Sequence, residues 1–284
     1  MLLALAALIS VLTTVGIVAS LVGETIDFFR EVSLWEYLTG TEWSPLFRDQ
    51  HFGVLPLIAG TLLMTAIALV VAIPLGLGSA IYLAEYARPR VRRTLKPIIE
   101  VLAGIPTIVF GFFALTFFAP EVLNGLLGLD VGTFSALSAG IIMGFMVIPT
   151  IASVSEDAMS AVPMALREGA FGLGASKLQV SMRVVFPAAL SGIVAAIVLG
   201  FSRAIGETMI VLVAGGQQPN LGIDPREQYE TMTAFIAATG KGDVATGTTA
   251  YKTIFAVGAT LFVMTLVVNA ISIRFVRKFR QVYE

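Results

Sequence analysis

Cysteine is absent from the 284 residues, and histidine occurs only once, at His51. The chain therefore has no disulfides or thiolate metal ligands, and a single histidine excludes a metal site built from several histidines. No GxxxxGK[ST] run occurs, so we expect no ATP-hydrolysing phosphate loop in this chain. Charged residues make up only 13% of the sequence, where ordinary globular proteins have roughly a quarter. The net charge of −1 gives no reason to expect a nucleic-acid partner.

Long apolar runs dominate the chain, which is 57% hydrophobic and has a mean hydropathy of +0.89. A helix needs about 20 mostly apolar residues to cross a bilayer. Six runs meet this requirement: 2–22, 54–83, 98–119, 133–154, 188–214 and 251–273. The first run lacks a basic leading segment and a small-residue cleavage site, so we interpret it as a membrane helix rather than a signal peptide. The sequence thus predicts an all-α integral membrane protein with six transmembrane helices.

Basic residues indicate the orientation of these helices. Twelve of the 18 Lys and Arg residues lie in segments 84–97 and 155–186 and in the tail from Arg274 onward. Cytoplasmic loops carry an excess of Lys and Arg, so these three segments are predicted to lie inside the cell. This places both chain termini and the segment 155–186 in the cytoplasm.

The segment 24–51 is polar and mostly acidic, with Trp35, Tyr37 and Trp43 interleaved. Such aromatic residues favour the membrane–water interface, so we predict an extracytoplasmic amphipathic segment that lies on the bilayer. Residues 1–53 would form the first transmembrane helix and this segment. Residues 54–284 would form a five-helix permease core, with a second extracytoplasmic polar stretch at 215–247.

Glycine and proline cluster in two runs, IPLGLG at 73–78 and AGIPTIVFG at 103–111. Both residue types are common in membrane helices, where small residues allow close helix packing. Local unwinding of the two runs to line a pathway is the functional alternative. The sequence leaves both interpretations open.

The segment 155–186 contains two short amphiphilic pieces, about 163–173 and 175–185, broken by Gly172 and Gly174. Its spacing is regular: Glu168-Gly169-Ala170, three residues, Gly174, nine residues, Val184, one residue and Phe186-Pro187. By shape alone this segment is either a solvated connection or a docking element for another protein.

The spacing resembles the EAA loop of ABC-importer permeases, whose pattern is Glu-Ala-Ala, three residues, Gly, nine residues, Ile, any residue, Leu-Pro. In that family the loop docks into a groove on a cytoplasmic ATPase. The resemblance implies a role in ATPase coupling for Glu168, Gly169, Ala170 and Gly174. Gly169 departs from the pattern, and glycine lowers helix propensity by about 1 kcal/mol relative to alanine.

Arg203 and Glu207 lie within the fifth predicted span, in the run LGFSRAIGETM. A charge at the centre of a bilayer costs at least ~2.5–3.5 kcal/mol, so such groups usually face a protein interior or a water-filled path. Residues four positions apart share one face of a helix, which predicts that the two side chains pair. The pair could be purely structural, or it could be a substrate site. Arginine suits an oxyanion because its planar fork bonds two oxygens at once, and Glu207 would orient Arg203 or weaken anion binding.

Several segments resemble the phosphate-specific ABC importer permeases, and the likeness covers nearly the whole chain from Phe52 onward. They include FGVLPLIAGTLL, PLGLGSAIYLAEYA, LAGIPTIVFGFF, LREGAFGLGA and SRAIGETM. The resemblance implies a type I ABC importer permease fold with cytoplasmic coupling helices, in the plasma (inner) membrane of a prokaryote. It also implies a role in the substrate pathway for Arg203 and Glu207. Between the paired permeases of that system, LKPIIEVLAGIP and GETM are more similar to PstC than to PstA.

The same resemblance implies the partners. They would be a PstA-like second permease in a heterodimer, two PstB-like ATP-binding subunits and a periplasmic or extracellular PstS-like phosphate-binding protein. ATP-Mg would be bound by the partner subunits, with no cofactor in this chain. Two alternatives remain: a permease for another oxyanion such as molybdate or sulfate, and an ion-coupled secondary transporter with Arg203–Glu207 as a proton relay. Secondary transporters usually contain internal repeats, and no clear repeat is evident here.

Overall fold

The computed structural model describes residues 2–279, which form helices and, between Trp43 and Phe52, one isolated β-bridge. In chain order the α-helices are α1 Leu2–Glu31, α2 Leu34–Thr39, α3 Leu55–Ile81, α4 Pro89–Leu102, α5 Thr107–Phe113, α6 Ala136–Ser160, α7 Met164–Gly172, α8 Lys177–Val180, α9 Phe186–Ala188, α10 Leu190–Ile205, α11 Met232–Lys241 and α12 Thr249–Phe279. Wider π-helical turns extend several of them, at Tyr82–Tyr86, Ala114–Leu126, Ser181–Val185 and Val211–Gly215.

Five helical units are long and apolar enough to cross a membrane: Leu3–Glu31, Leu55–Tyr86, Thr107–Leu126, Ala136–Ser160 and Thr249–Arg274. A sixth candidate consists of Lys177–Ala188 followed by Leu190–Ile205, two pieces bent by 71°. The predicted all-helical membrane fold is therefore confirmed, with five or six spans. Residues 280–284, at the end of the predicted basic tail, lie outside the described part.

Helices α3 and α6 form the centre of the bundle and share its largest apolar cluster. Gly140 and Gly144 on α6 are four residues apart, a spacing of small residues that lets membrane helices approach closely. A Cβ atom on Gly140 would lie 2.8 Å from the Ile67 side chain, and one on Gly144 would lie 2.8 Å from the carbonyl oxygen of Ala68. The two helices therefore touch through their backbones and leave no room for larger side chains.

The predicted third span, 98–119, is wrong in its position. The chain breaks between α4 and α5 at the Gly104–Pro106 turn, and the span runs over Thr107–Leu126. The residue before a proline is disfavoured in helical conformation, which explains the break. Helix α4 is a separate helix without any buried residue. By contrast, the other glycine- and proline-containing run, 73–78, stays helical within α3.

One end of the bundle, which we call the aromatic end, is held by a cluster of buried aromatic side chains. Its rings are Phe28, Tyr37, Trp43, Phe52 and Phe235. Trp43 packs edge-on against Phe235 with 5.0 Å between ring centroids, and Tyr37 shares a hydrogen bond of 2.8 Å between its hydroxyl and that of Thr260. Tyr37 and Trp43 are thus core residues, and the prediction that they lie on the bilayer is wrong. Trp35 is 76% exposed.

Helix α11 was not predicted, because its segment was interpreted as part of a polar extracytoplasmic stretch. Thr231 caps the helix through its side chain, which accepts a hydrogen bond from the backbone N–H of Ala234. Met232, Ala234 and Phe235 are buried at the aromatic end. With ten residues α11 is too short to span a bilayer, so it forms part of the bundle's cover.

The opposite end, which we call the loop end, contains α4, α7, α8 and the last turns of α3 and α6. A second apolar cluster joins these elements, with Ala80, Met159, Val162, Val180 and Val185 as buried members. Charged contacts add to it. Glu156, at the end of α6, is fully buried and pairs with Arg92 and Lys96 of α4. The Lys96 ammonium lies 2.7 Å from a Glu156 oxygen.

Candidate functional site

The fifth predicted span, 188–214, is interrupted at the acidic residue that drew attention to it. Helix α10 ends at Ile205, residues 206–208 are not helical, and a new helical segment begins at Met209. The Glu207 carboxylate caps this segment by accepting hydrogen bonds from the backbone N–H groups of Met209 (3.0 Å) and Ile210 (3.3 Å). The Thr233 hydroxyl of α11 donates to the backbone oxygen of Glu207 at 2.6 Å. The break is therefore an ordered turn.

The predicted pairing of Arg203 with Glu207 is wrong in this structure. Arg203 lies near the end of α10, and its guanidinium donates to the sulfur of Met146 (3.0 Å) and the hydroxyl of Thr150 (3.3 Å), both on α6. Among the described side chains, no ion pair involves Arg203. Two causes explain this: the helix ends before Glu207, so the i, i+4 geometry is lost, and the Glu207 carboxylate is used by the following backbone.

Arg203 is thus a half-buried cation with only neutral neighbours as acceptors. A guanidinium has five N–H donors, and here two of them bond a thioether and a hydroxyl, which are weak or uncharged acceptors. An isolated charge within a bundle is unfavourable unless a counter-charge or water compensates it. The arrangement is therefore chemically suited to bind an anion, and an oxyanion matches the geometry of the donors.

Sequence reasoning missed the residues that surround Arg203. Met146 and Thr150 occur in an apolar span, where both types usually serve packing, so no sequence signal distinguishes them. The same applies to Asn269 on α12, whose side-chain oxygen accepts a hydrogen bond from the Ser202 hydroxyl at 3.1 Å. Only the crossing of α10 with α6 and α12 shows that these polar groups share one region of the bundle.

Two adjoining pockets lie on the far side of the break. The larger has a volume of about 640 Å³. The smaller, about 400 Å³, shares Phe134, Gln218 and Gln228 with it and extends to Leu212. The lining of the larger pocket is polar: Gly132, Thr133, Phe134, Gln218, Pro219, Asn220, Arg226, Glu227 and Gln228.

The cation of this larger pocket is already neutralised. Arg226 pairs with Asp224 at 2.6 Å, and hydrogen bonds from the Arg226 side chain and backbone lower the pKa of Asp224 to about 2. Asn220 donates to the Glu227 carboxylate at 2.7 Å. The pocket therefore offers mainly uncharged amides, unlike the surroundings of Arg203.

Glu230 is a further acidic residue that sequence reasoning did not single out. Its backbone oxygen would lie 2.4 Å from a Cβ atom on Gly60, so the segment before α11 packs directly against α3. Glu230 is only 6% exposed, and burial raises its pKa to about 8. At neutral pH this carboxyl group is therefore mainly uncharged.

The EAA-like loop, defined as residues 155–186, folds into the predicted pair of short helices. Gly174 has a φ of +81°, a left-handed conformation that favours glycine, and it separates α7 from α8. Ser176 and Gln179 form a capping box that starts α8. The spacing between Gly174 and Ser176 thus builds a tight turn between two helices.

The predicted coupling residues face outward from this loop. Glu168, Gly169 and Gly174 are exposed, Ala170 is half-buried, and a Cβ atom on Gly169 would meet nothing within 4 Å. Large apolar side chains are exposed beside them: Met164, Phe171, Leu173 and Leu178. An exposed apolar surface on a short helical hairpin is suited to bind another protein.

Comparison with known proteins agrees with these observations. Residues 72–281 match the family model described as binding-protein-dependent transport system inner membrane component. The chain is 37% identical to the probable ABC transporter permease protein YqgH of Bacillus subtilis, over 82% of this chain and 74% of that protein. It is 36% identical to the phosphate transport system permease protein PstC 1 of Mycobacterium bovis, over 85% and 81% of the two chains.

A solved structure shares the fold. A chain of a bacterial ABC transporter involved in the import of the acidic polysaccharide alginate superimposes with a TM-score of 0.61 and 16% sequence identity. The match covers 96% of this chain and 99% of the other.

Proposed function

Because the chain belongs to the family of binding-protein-dependent transport system inner membrane components, we propose that it is a permease subunit that carries inorganic phosphate inward. As an ABC transporter permease it is a transport subunit, and ATP hydrolysis lies in partner subunits. The likeness to a curated PstC permease supports phosphate as the substrate. The chemistry around Arg203 supports it independently.

The observation that carries the proposal is the unpaired cation within the bundle. Arg203 is held by neutral groups of α6, so an incoming oxyanion would not have to displace a carboxylate from it. Glu207 contributes differently from the sequence-based expectation. It fixes the turn at which the fifth span breaks, and thereby positions the end of α10 that carries Arg203.

The proposal includes the assembly and the orientation. We propose a PstA-like second permease, two PstB-like ATPases that bind ATP-Mg, and a PstS-like phosphate-binding protein. Both termini and the loop end would lie in the cytoplasm, in accord with the distribution of Lys and Arg. The exposed helices α7 and α8 would bind the ATPases through Glu168, Gly169, Ala170 and Gly174. Closure of the ATPases would tilt the spans around Arg203 and change access to it.

Uptake by the purified complex tests this function. The complex is reconstituted in proteoliposomes with the binding protein, and radioactive phosphate is followed with and without ATP. We expect ATP-dependent accumulation that unlabelled phosphate inhibits and that equimolar sulfate or molybdate does not. Inhibition by molybdate or sulfate as strong as that by phosphate would favour the other oxyanion function. ATP-independent uptake driven by an ion gradient would contradict the proposal altogether.

A further inference from the structure

Arg167, immediately before the Glu168-Gly169-Ala170 run, connects three elements at the loop end. Its guanidinium donates to the Glu85 carboxylate from two nitrogens, at 3.0 and 3.3 Å. It also donates to the backbone oxygens of Met159 (2.8 Å) and Val162 (2.5 Å), at the end of α6. Glu85 lies on the π-helical turn that ends α3. One side chain of α7 is therefore bonded to both central helices.

This cluster is buried, unlike the rest of the loop surface. The side chains of Arg167 and Glu85 are 11% and 7% exposed. Carbonyl groups at the end of a helix have no partners within the helix, and they carry the negative end of its dipole. Arg167 supplies those partners and a compensating positive charge. Every contact of its fork is thus directional and charge-assisted.

The other contacts between the loop and the bundle are of a different kind. Val180 and Val185 pack against Ala80 and Met159 in the apolar cluster of the loop end. Apolar contacts are not directional, so they allow the loop to slide or rotate while surface stays buried. The bonds of Arg167 are the polar contacts that fix the position of α7 relative to α3 and α6.

Movement of these two helices would reach Arg203. Gly140 and Gly144 bring α6 into backbone contact with α3, so the two helices cannot shift independently without a clash. Met146 and Thr150, further along α6, hold the Arg203 guanidinium. A continuous series of contacts therefore runs from α7 through Arg167 to the candidate substrate site.

We propose that the Arg167–Glu85 pair is the positioning element that makes α7 move as one body with α3 and α6, and so transmits loop movement to Arg203. This inference rests on the proposed function, because it concerns how the same permease couples ATP to transport. It predicts that the pair affects the efficiency of coupling rather than the ability of the loop to meet the ATPase.

The test uses the full complex and the double variant Arg167→Gln/Glu85→Gln. Both glutamines keep the size of the side chains, and the double change leaves no buried carboxylate without a partner. The matched control is Arg93→Gln, an exposed arginine at the same end for which no ion pair is found among the described residues. Assembly is measured by co-purification of all subunits, and both readouts below are normalised to it.

The first readout is independent of the substrate. The chain has no native cysteine, so Leu173→Cys on the loop and Phe145→Cys on α6 can carry a unique pair of spin labels. Both positions are exposed. In the wild-type background the distance between the labels should stay constant when ATP is added, because loop and α6 move together. In the double variant that distance should change on ATP addition, and in the Arg93→Gln control it should not.

The second readout is the number of ATP molecules hydrolysed per phosphate imported. We expect it to rise at least about tenfold in the double variant, which corresponds to 1.4 kcal/mol of lost coupling. Arg167→Lys keeps the charge and loses the fork, so it should give an intermediate ratio even if the double variant assembles poorly. A constant label distance with an unchanged ratio in the double variant would overturn the inference. Failure of the wild-type complex to import phosphate, with the distance change still present in the variant, would overturn only the substrate assignment.

Discussion

Two arginines within the bundle differ in how their charge is satisfied. Arg167 bonds a carboxylate and two helix-terminal carbonyl oxygens, and its side chain is 11% exposed. Arg203 bonds a thioether and a hydroxyl and, in the part of the chain that the structure describes, has no acidic partner. Both are arginines in predominantly apolar surroundings. Only the second has charge and donors left for a ligand.

The comparison shows why burial of a charged residue is not by itself a sign of a substrate site. A buried cation with saturated bonding holds elements together, and its removal strands its partner at a cost of roughly 3–5 kcal/mol. A cation with neutral partners leaves no stranded charge when it is removed. Each variant below tests one side of this distinction, beginning with the largest expected effect.

Arg203→Gln should abolish most phosphate uptake while the complex still assembles. A hydrogen bond to a charged group contributes about 1.5–3 kcal/mol, so the loss of even one bond to the anion predicts a decrease of about tenfold or more. Arg203→Lys keeps the charge without the planar fork and should retain part of the activity. Uptake is normalised to assembled complex in membranes. Loss of assembly together with uptake would show that Arg203 is a structural residue like Arg167.

Gly174→Leu should reduce uptake and ATPase coupling together, without preventing membrane insertion. The left-handed conformation at this position costs a side-chain-bearing residue about 1–2 kcal/mol, and the turn between α7 and α8 would shift. Gly172→Ala is the control, because a Cβ atom there meets nothing within 4 Å. The measurements are uptake and binding-protein-stimulated ATPase activity. Wild-type coupling in Gly174→Leu would mean that the loop is only a connector.

The double change Arg203→Gln/Glu207→Gln should transport no better than Arg203→Gln. The two side chains are not paired, so neutralising Glu207 cannot relieve a stranded charge. Glu207→Ala should instead lower the thermal stability of the complex, since loss of a helix cap costs typically about 1 kcal/mol. Recovery of uptake in the double variant would restore the ion pair that the sequence predicted.

Glu230 should produce a small pH dependence of stability. Its pKa is about 8 in the folded protein, above the ordinary value of 4.5, so the folded state binds more protons than the unfolded state between these values. Stability should therefore decrease as the pH rises from 4.5 to about 8 and change no further through this group above that range. Melting temperatures across this range should vary less for Glu230→Gln than for the wild type. An identical slope in both proteins would contradict the assignment.

Much of the fold could be predicted from the sequence, because long apolar runs and basic loops are strong signals in membrane proteins. The EAA-like spacing correctly located the pair of short helices, and Gly174 has the backbone conformation that its glycine suggested. Helix ends were less predictable. The third span begins at Thr107 instead of 98, because hydropathy does not register the break before Pro106.

The candidate site could be predicted only in part. Arg203 was identifiable as a charge in an apolar run, but its neighbours depend on how α10 crosses α6. The pairing with Glu207 was inferred from a helical period that ends at Ile205, two residues before the carboxylate. Arg167 and Glu85 are 82 positions apart, and no local pattern connects them.

The unpaired charge of Arg203 has an electrical consequence. In a cell whose interior is negative, moving each negative charge inward costs about 2.3 kcal/mol per 100 mV. Arg203 is anchored between α10 and α6, so its attraction favours an anion at one depth and must be overcome again when the anion leaves. A fixed cation therefore lowers the barrier to entry and performs no net electrical work. For an inward-moving anion that work has to come from ATP, which is hydrolysed outside this chain.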